Sequence, residues 1–478
     1  MSDAARRVRT PVLADETGTA LDGPAIEAAV ASLAGGLRAA GVRHGDVVAW
    51  QAPNWHEVIL LYRACWRLGA IAGPIHHHAG PADVDRFLDV LRPRLWLPPD
   101  AIRGRAARYP TLLGGEPVTS SAARPSDLAV VLFTSGSTGG PKAALHTQRG
   151  LAYKALVMAG AHQLTPADAI LMPAPLAHVS GLLNAVLVPG VVPMRVNLMA
   201  RWEPEAALAT IDAAGITFMI GPPTFFISLM ESPGFRAPRV ASLRLVSSGG
   251  AGVTPSFVSN ASERLHATVK RTYGSTEAPT VTTSTPGDPP GRARDTDGRA
   301  VGSVRLRVSD PVTGRPRPYG ESGELWLRGP ELFAGYVDAS QTDAAITRGW
   351  FRTGDLTTVD ADGWLTVVGR IKDTIIRGGE NIAAAEVEAI LEQHPDVVQA
   401  VAVGYSDARY GERVCAFVVA RRPFDLGVCR AWFEHEGVAR FKTPERVVTL
   451  DELPLLSAGK ADRAALRARA EAGAPDPG

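Results

Sequence analysis

L-F-T-S-G-S-T-G-G-P-K-A-A-L-H-T, residues Leu132 to Thr147, decides how the rest of the chain is read. The apolar run Leu128–Phe133 stops at six small residues, Thr134 to Gly139, and Gly140, Pro141 and Lys142 follow. A helix-compatible segment begins near Thr147. A strand that ends in a Gly/Ser/Thr loop suits an anion: glycines let backbone N–H groups converge, hydroxyls add donors, and a lysine adds charge. The loop is not of the G-x-x-x-x-G-K-[ST] type. Pro141 stands in place of the second glycine and Ala143 in place of the metal-binding hydroxyl.

Composition bounds the classes that can hold such a loop. A chain of 478 residues exceeds one ordinary core, so two or more domains are expected. With 45% hydrophobic and 21% charged residues it reads as globular, and a net charge of +1 gives no electrostatic case for nucleic acid or an anionic membrane surface. The odd set Cys65, Cys415 and Cys429 suggests a reducing, cytoplasmic setting without a disulfide framework. The most apolar run, Gly181 to Met194, is short and interrupted by Asn184, Pro189 and Pro193, so no membrane span is expected. Only six of the 50 basic residues are lysine: Lys142, Lys154, Lys270, Lys372, Lys442 and Lys460. A retained ammonium in so arginine-rich a chain hints that a compact charge is needed.

Strand and helix patterns alternate from Asp46 to Tyr273, which predicts mainly parallel sheets covered by helices. From Val304 to about Gly369 short strands with turn signals predict a β-rich subdomain. A smaller α+β segment follows Lys372, with helices expected over 383–393 and 461–470 and strands over 397–404 and 413–420. The fold class is therefore α/β, with residues 1–371 as a large N-terminal domain and 372–478 as a small C-terminal one. His76, His77 and His78 follow a strand. Alternating faces and the lack of a nearby Cys or acid favour an ordinary loop over a metal centre.

Other motifs sit at the ends of predicted strands: P-A-P-L-A-H-V-S-G (Pro173–Gly181), S-S-G-G-A-G (Ser247–Gly252), Y-G-S-T-E (Tyr273–Glu277) and G-W-F-R-T-G-D-L (Gly349–Leu356). G-R-I-K-D (Gly369–Asp373), R-G-G-E-N-I (Arg377–Ile382) and S-A-G-K (Ser457–Lys460) follow. Taken singly, most read as turns or caps. In this order, and with T-S-G-S-T-G-G-P-K, the chain resembles the ANL superfamily of adenylate-forming enzymes, most of all its acyl-CoA synthetases, over about Pro24 to Ala470.

The resemblance implies roles residue by residue. Thr134, Ser135, Gly136, Ser137, Thr138, Gly139 and Lys142 would hold the β- and γ-phosphates of ATP. Gly250-Ala251 and Tyr273 would enclose the adenine, and Asp355 and Arg370 would take the ribose. Thr276 would bond the α-phosphate, and Glu277 would be the Mg²⁺ ligand, as a hard cation requires. His178 would lie beside the substrate carboxylate and Lys460 would be the adenylation lysine. Val179, Phe225, Gly249, Gly274 and Ser275 would line the acyl pocket, together with Leu182 and Phe226. Lys372 would be the hinge, and Gly378 and Gly379 would border the path of the coenzyme A arm. Ser275 replaces the hydrophobic residue of many relatives, and no acid stands near Ala177–Ser180, which argues against an α-amino acid.

The expectation is an enzyme using ATP, Mg²⁺ and coenzyme A to convert an apolar aromatic, alicyclic or medium-chain carboxylic acid into a thioester through an acyl-adenylate. The alternative keeps adenylation but passes the adenylate to a separate carrier protein, an amine or another acceptor; the resemblance extends to relatives that activate nitrite to make diazo groups. A non-catalytic nucleotide binder is disfavoured by the presence of Glu277, Asp355, Arg370 and Lys460 together.

Overall fold

A computed structural model describes residues 12–104, 107–134, 142–250, 252–378, 380–456 and 460–473. Two largely parallel sheets form the bulk. One has nine strands, ordered 299–300, 282–283, 268–273, 245–249, 218–221, 169–172, 195–198, 13–14 and 20–21. Its central pairs are parallel and its outermost ones antiparallel. The second has six strands, ordered 335–336, 142–147, 128–134, 71–75, 47–51 and 95–97.

The covering helices begin where the sequence provides stops and starts. Asp22, Thr147 and Thr254 each accept an N–H from the first turn of a helix: Gly23–Ala39, Gln148–Ala161 and Pro255–Leu265. Proline occupies the first position of Pro204–Ala214, Pro223–Glu231 and Pro255–Leu265, where its missing N–H costs nothing. The helical stretch after His178 is irregular: Val179–Gly181 is α, Leu182–Leu187 is π and Val188–Val191 is α again. Pro189 cannot donate the bond that would continue a regular α-ladder.

In the opening stretch the helix begins at Gln148, in line with the expected start near Thr147, but a strand precedes it that was not anticipated. Residues Lys142–Thr147 form a strand antiparallel to Leu128–Thr134, with Thr134 opposite Lys142. The two strands that flank the phosphate-loop candidate are therefore hydrogen-bonded neighbours. Residues 135–141 themselves lie outside the described residues.

The β-rich subdomain is as expected, an antiparallel sheet of 305–309, 323–328, 350–359, 346–347 and 365–370. Beyond it, strands 374–377, 380–383, 397–407, 411–420 and 446–449 form a separate sheet packed by helices Ala384–Leu391, Leu426–His435 and Arg463–Ala472. The helix Leu426–His435, capped by Asp425, was not anticipated. Apolar clusters on the C-terminal side draw on residues 375–470 and those before it on residues up to 367, so the described cores fall on either side of Lys372. Cys65, Cys415 and Cys429 are free and buried. Among the described residues no helix is long and apolar enough to cross a membrane.

Two interior histidines make this fold acid-sensitive. His162 is buried with neither ring nitrogen partnered among the described residues, and burial holds its pKa well below the usual value. His146 is lowered to about 4, again by burial first. Both are neutral in the fold, whereas the unfolded chain protonates them below about pH 6.5. Stability is therefore full above pH 6.5 and falls as the pH drops toward 4, by up to about 1.4 kcal/mol per pH unit for each histidine. His162→Phe, which keeps a ring against Phe218, should flatten the fall in thermal midpoint between pH 7.5 and 5; parallel curves for the two proteins would refute this.

Candidate active site

The end of a central strand of the nine-stranded sheet meets the β-rich subdomain at Asp355. Tyr273 ends its strand and donates its hydroxyl to Asp355 Oδ2 at 2.5 Å. Asp355 Oδ1 meets Arg370 Nε at 2.8 Å, the two residues being cross-strand partners. Burial pushes the Asp355 carboxyl up from its ordinary value, and Arg370 opposes the shift. The Tyr273 hydroxyl is raised well above its usual pKa by burial and by Asp355, so it serves as a donor.

The turn after Tyr273 is tightly specified. A Cβ on Gly274 would lie 2.3 Å from Thr280 N, and one on Gly249 2.3 Å from Thr272 O, so neither position admits a side chain without backbone movement. Ser275 accepts the Ala278 N–H at 3.2 Å, which commits its hydroxyl to the turn. The Thr276 carbonyl accepts from His146 Nε2 at 2.8 Å. Glu277 is buried, and Tyr336 donates its hydroxyl to Glu277 Oε1 at 2.7 Å. A buried carboxylate suits a hard divalent cation, so the donor chemistry fits Mg²⁺ at Glu277. Lys142 Nζ sits 5.3 Å from the Tyr336 ring centre.

Lys460 reaches this group from the C-terminal unit. Its Cε lies 3.6 Å from where a Gly250 Cβ would be. Burial lowers its pKa, Arg370 and Lys372 act in the same direction, and Asp355 and Glu277 oppose them. Lys372, on the turn Ile371–Asp373, is lowered by burial and by Arg370. His178 lies on the Lys460 side as well: burial and that ammonium bring its pKa to about 4. The structure therefore brings together Tyr273, Glu277, Asp355, Arg370, Lys372, Lys460, Gly250 and His178.

Other expectations fare differently. Phe225 is half-buried, stacks on Trp202 at 4.7 Å and borders Gly221. Val179 is half-buried against the main core. Phe226 and Leu182 are buried within the cores, so the expectation that they line a pocket is corrected. Gly378, with φ +60°, forms a hairpin tip where an added Cβ would meet Tyr410 at 3.3 Å. Ser135, Gly136, Ser137, Thr138, Gly139, Ala251 and Gly379 lie outside the described residues.

Sequence reasoning missed four groups. Tyr336 and His146 come from strands whose pairing joins distant segments, Tyr336 opposite Ala144. Trp202 precedes the helix Pro204–Ala214 and carries no motif that marks it. The fourth is His76–His78, whose expected alternation of faces is wrong. The strand ends at Ile75, and Ala79 N–H bonds His76 O at 2.9 Å, closing a turn. The three rings gather on one side, with centroids 4.0–5.5 Å apart. They form no metal-ligating group among the described residues. The one group that does, Asp15, His56 and Glu57, is already neutralised by Arg103, which contacts both carboxylates at 2.6 Å.

The sequence also matches known families. Residues 2–337 fit the model of the AMP-binding enzymes and residues 386–460 that of the AMP-binding enzyme C-terminal domain. The chain belongs to this family, the ANL superfamily of adenylate-forming enzymes. It is 31% identical to the medium-chain fatty-acid–CoA ligase of Escherichia coli over 95% of this chain and 86% of that one. It is 34% identical to a feruloyl-CoA synthase of Amycolatopsis over 95% and 94%. Among solved structures it resembles ATP-bound MatB from Rhodopseudomonas palustris (27% identity, TM-score 0.88, 96% of both chains). It also resembles the amide bond synthetase McbA from Marinactinospora thermotolerans (28% identity, TM-score 0.85, 96% of both chains). The chain is thus an AMP-binding enzyme, and the relatives it matches over most of its length are CoA ligases.

Tyr273→Phe removes only the hydroxyl that Asp355 accepts. Loss of this charge-assisted bond should lower unfolding free energy by about 1.5–3 kcal/mol. Chemical denaturation measures it, and an unchanged midpoint would show that Arg370 alone suffices to hold the carboxylate.

Proposed function

We propose that this ligase activates an apolar aromatic, alicyclic or medium-chain carboxylic acid and transfers it to coenzyme A. A carboxylate oxygen attacks the α-phosphorus of ATP, the bond to the β-phosphate bridge breaks, and acyl-adenylate and pyrophosphate form. The thiol then attacks the acyl carbon, the bond to AMP breaks, and the thioester leaves. The reading rests chiefly on one observation: Lys460 converges on Gly250, His178 and the Asp355–Arg370 pair.

In this reading Asp355 and Arg370 orient the ribose and Tyr273 covers the adenine. Thr134 and Lys142, with the intervening loop, take the terminal phosphates. Glu277 holds Mg²⁺, which offsets phosphate charge. Thr276 and Lys460 meet the oxygens at the reacting centre, where a preplaced ammonium stabilises charge that two anions bring together. Catalysis is thus mostly positioning and electrostatics. Phe225, Trp202 and Val179 provide an apolar wall for the acyl group, in keeping with the medium-chain and aromatic acids named for its relatives.

Residue 371 is the proposed boundary of the N-terminal domain and Lys372 the hinge, supported by separate apolar cores on either side. Rotation there would withdraw Lys460 and bring Gly378 toward the site for the second step. The likeness to an amide bond synthetase favours, as a second reading, an amine acceptor for the same adenylate.

ATP–pyrophosphate exchange over a panel of carboxylic acids, followed by mass detection with coenzyme A, should give exchange and an acyl-CoA. Exchange without thioester would move the acceptor to an amine or a carrier. Lys460→Ala should reduce exchange by about 10²–10³-fold while thioester formation from supplied acyl-adenylate stays within about threefold. Equal loss of both half-reactions would overturn the role given to Lys460.

A further inference from the structure

Gln51 Nε2 donates to the carbonyls of His76 at 3.1 Å and Ala79 at 3.0 Å and fixes the turn that carries the imidazoles. The His76 ring packs edge-on against His178, with centroids 5.1 Å apart and planes at 87°. His76 is therefore in ring contact with the histidine beside Lys460. Its tautomer follows from its hydrogen bond: Nδ1 accepts the backbone N–H of His78 at 3.0 Å. The neutral ring then carries its proton on Nε2. Burial, together with the surrounding imidazoles, holds its pKa at about 3, so the neutral form prevails at ordinary pH.

Nε2 is buried and has no hydrogen-bond partner among the described residues. A buried donor left unmade is costly, and structures rarely keep one without use. The groups acting on His76 are the imidazoles of His77, His78 and His178, so no carboxylate competes for the proton.

We propose that the His76 Nε2–H is a specificity-determining donor that accepts substrates carrying a second oxygen-bearing group. The matching ligand chemistry is an acceptor oxygen, such as a keto, hydroxyl or second carboxyl oxygen on an otherwise apolar acid. An amide carbonyl of the coenzyme A arm offers the same chemistry from another source. The proposal rests on the ligase reading above and narrows its substrate class.

The two half-reactions separate these sources, because adenylation is measured without coenzyme A. His76→Phe keeps a ring against His178 and removes the donor; His76→Gln restores an N–H at a similar reach. In pyrophosphate exchange, His76→Phe should lower kcat/KM for oxygen-bearing acids at least tenfold more than for hydrocarbon acids of equal length. His76→Gln should recover most of that preference. A purely structural role would depress both acid classes alike, and that result would overturn the proposal. A defect confined to thioester formation from supplied acyl-adenylate would assign the donor to the coenzyme A arm and overturn the acyl assignment. Wild-type protein that exchanges pyrophosphate with no carboxylic acid would defeat the ligase reading itself, and this inference with it.

Discussion

The carboxylate of Asp355 is the point on which the architecture turns. Its two oxygens are taken from two directions, by Tyr273 at the end of a nine-stranded-sheet strand and by Arg370 at the end of the subdomain's last strand. The residue is almost fully buried, and an unpaired charge there would be strongly destabilising. Satisfying it fixes the subdomain against the large sheet. It also fixes where the chain leaves Arg370, two residues before Lys372, and so the approach of everything that follows. Lys460 reaches the same cleft because that exit is set.

Much of this was legible because parallel strands in this fold end in loops rich in Gly, Ser and Thr, and helices begin at prolines and capping hydroxyls. The site at Tyr273–Glu277 lies at such a junction, so motif and periodicity agree there, whereas Asp355 lies within the antiparallel strand 350–359. What escaped depended on pairing between distant segments. Lys142–Thr147 is too short and too alanine-rich to show a period of two, and its strand character comes from Leu128–Thr134 on one side and Gly335–Tyr336 on the other. Tyr336 could be placed on Glu277 only through that pairing. Phe226 and Leu182 were misjudged because helical neighbours alternate between cleft and core, and the sequence does not say which face is which.

The histidine triplet shows the same limit at closer range. Alternation of side chains holds while a strand lasts, and this one stops a residue before His76. The turn that gathers the rings is held by a glutamine amide from the neighbouring strand, twenty-five positions earlier in the chain. A local reading has no access to that bond.

Charge at the reacting end follows one logic. Lys460, Lys372 and Arg370 converge there, and each is set against the others as well as against Asp355 and Glu277. A cleft with surplus positive charge is matched to ligands that bring negative charge, here a nucleotide triphosphate and a carboxylate. Additional cations would deepen the mutual repulsion before those ligands arrive. Imidazoles avoid this: burial first, then the Lys460 ammonium at His178 and the neighbouring imidazoles at His77 and His76, keep the three uncharged, with values of about 4, 4 and 3. They offer donors to a ligand without adding to the charge that the empty cleft must hold. A lysine or arginine in the place of His76 would give a stronger donor and a more strained resting state. The neutral ring reconciles polar recognition with a cleft already crowded by cations.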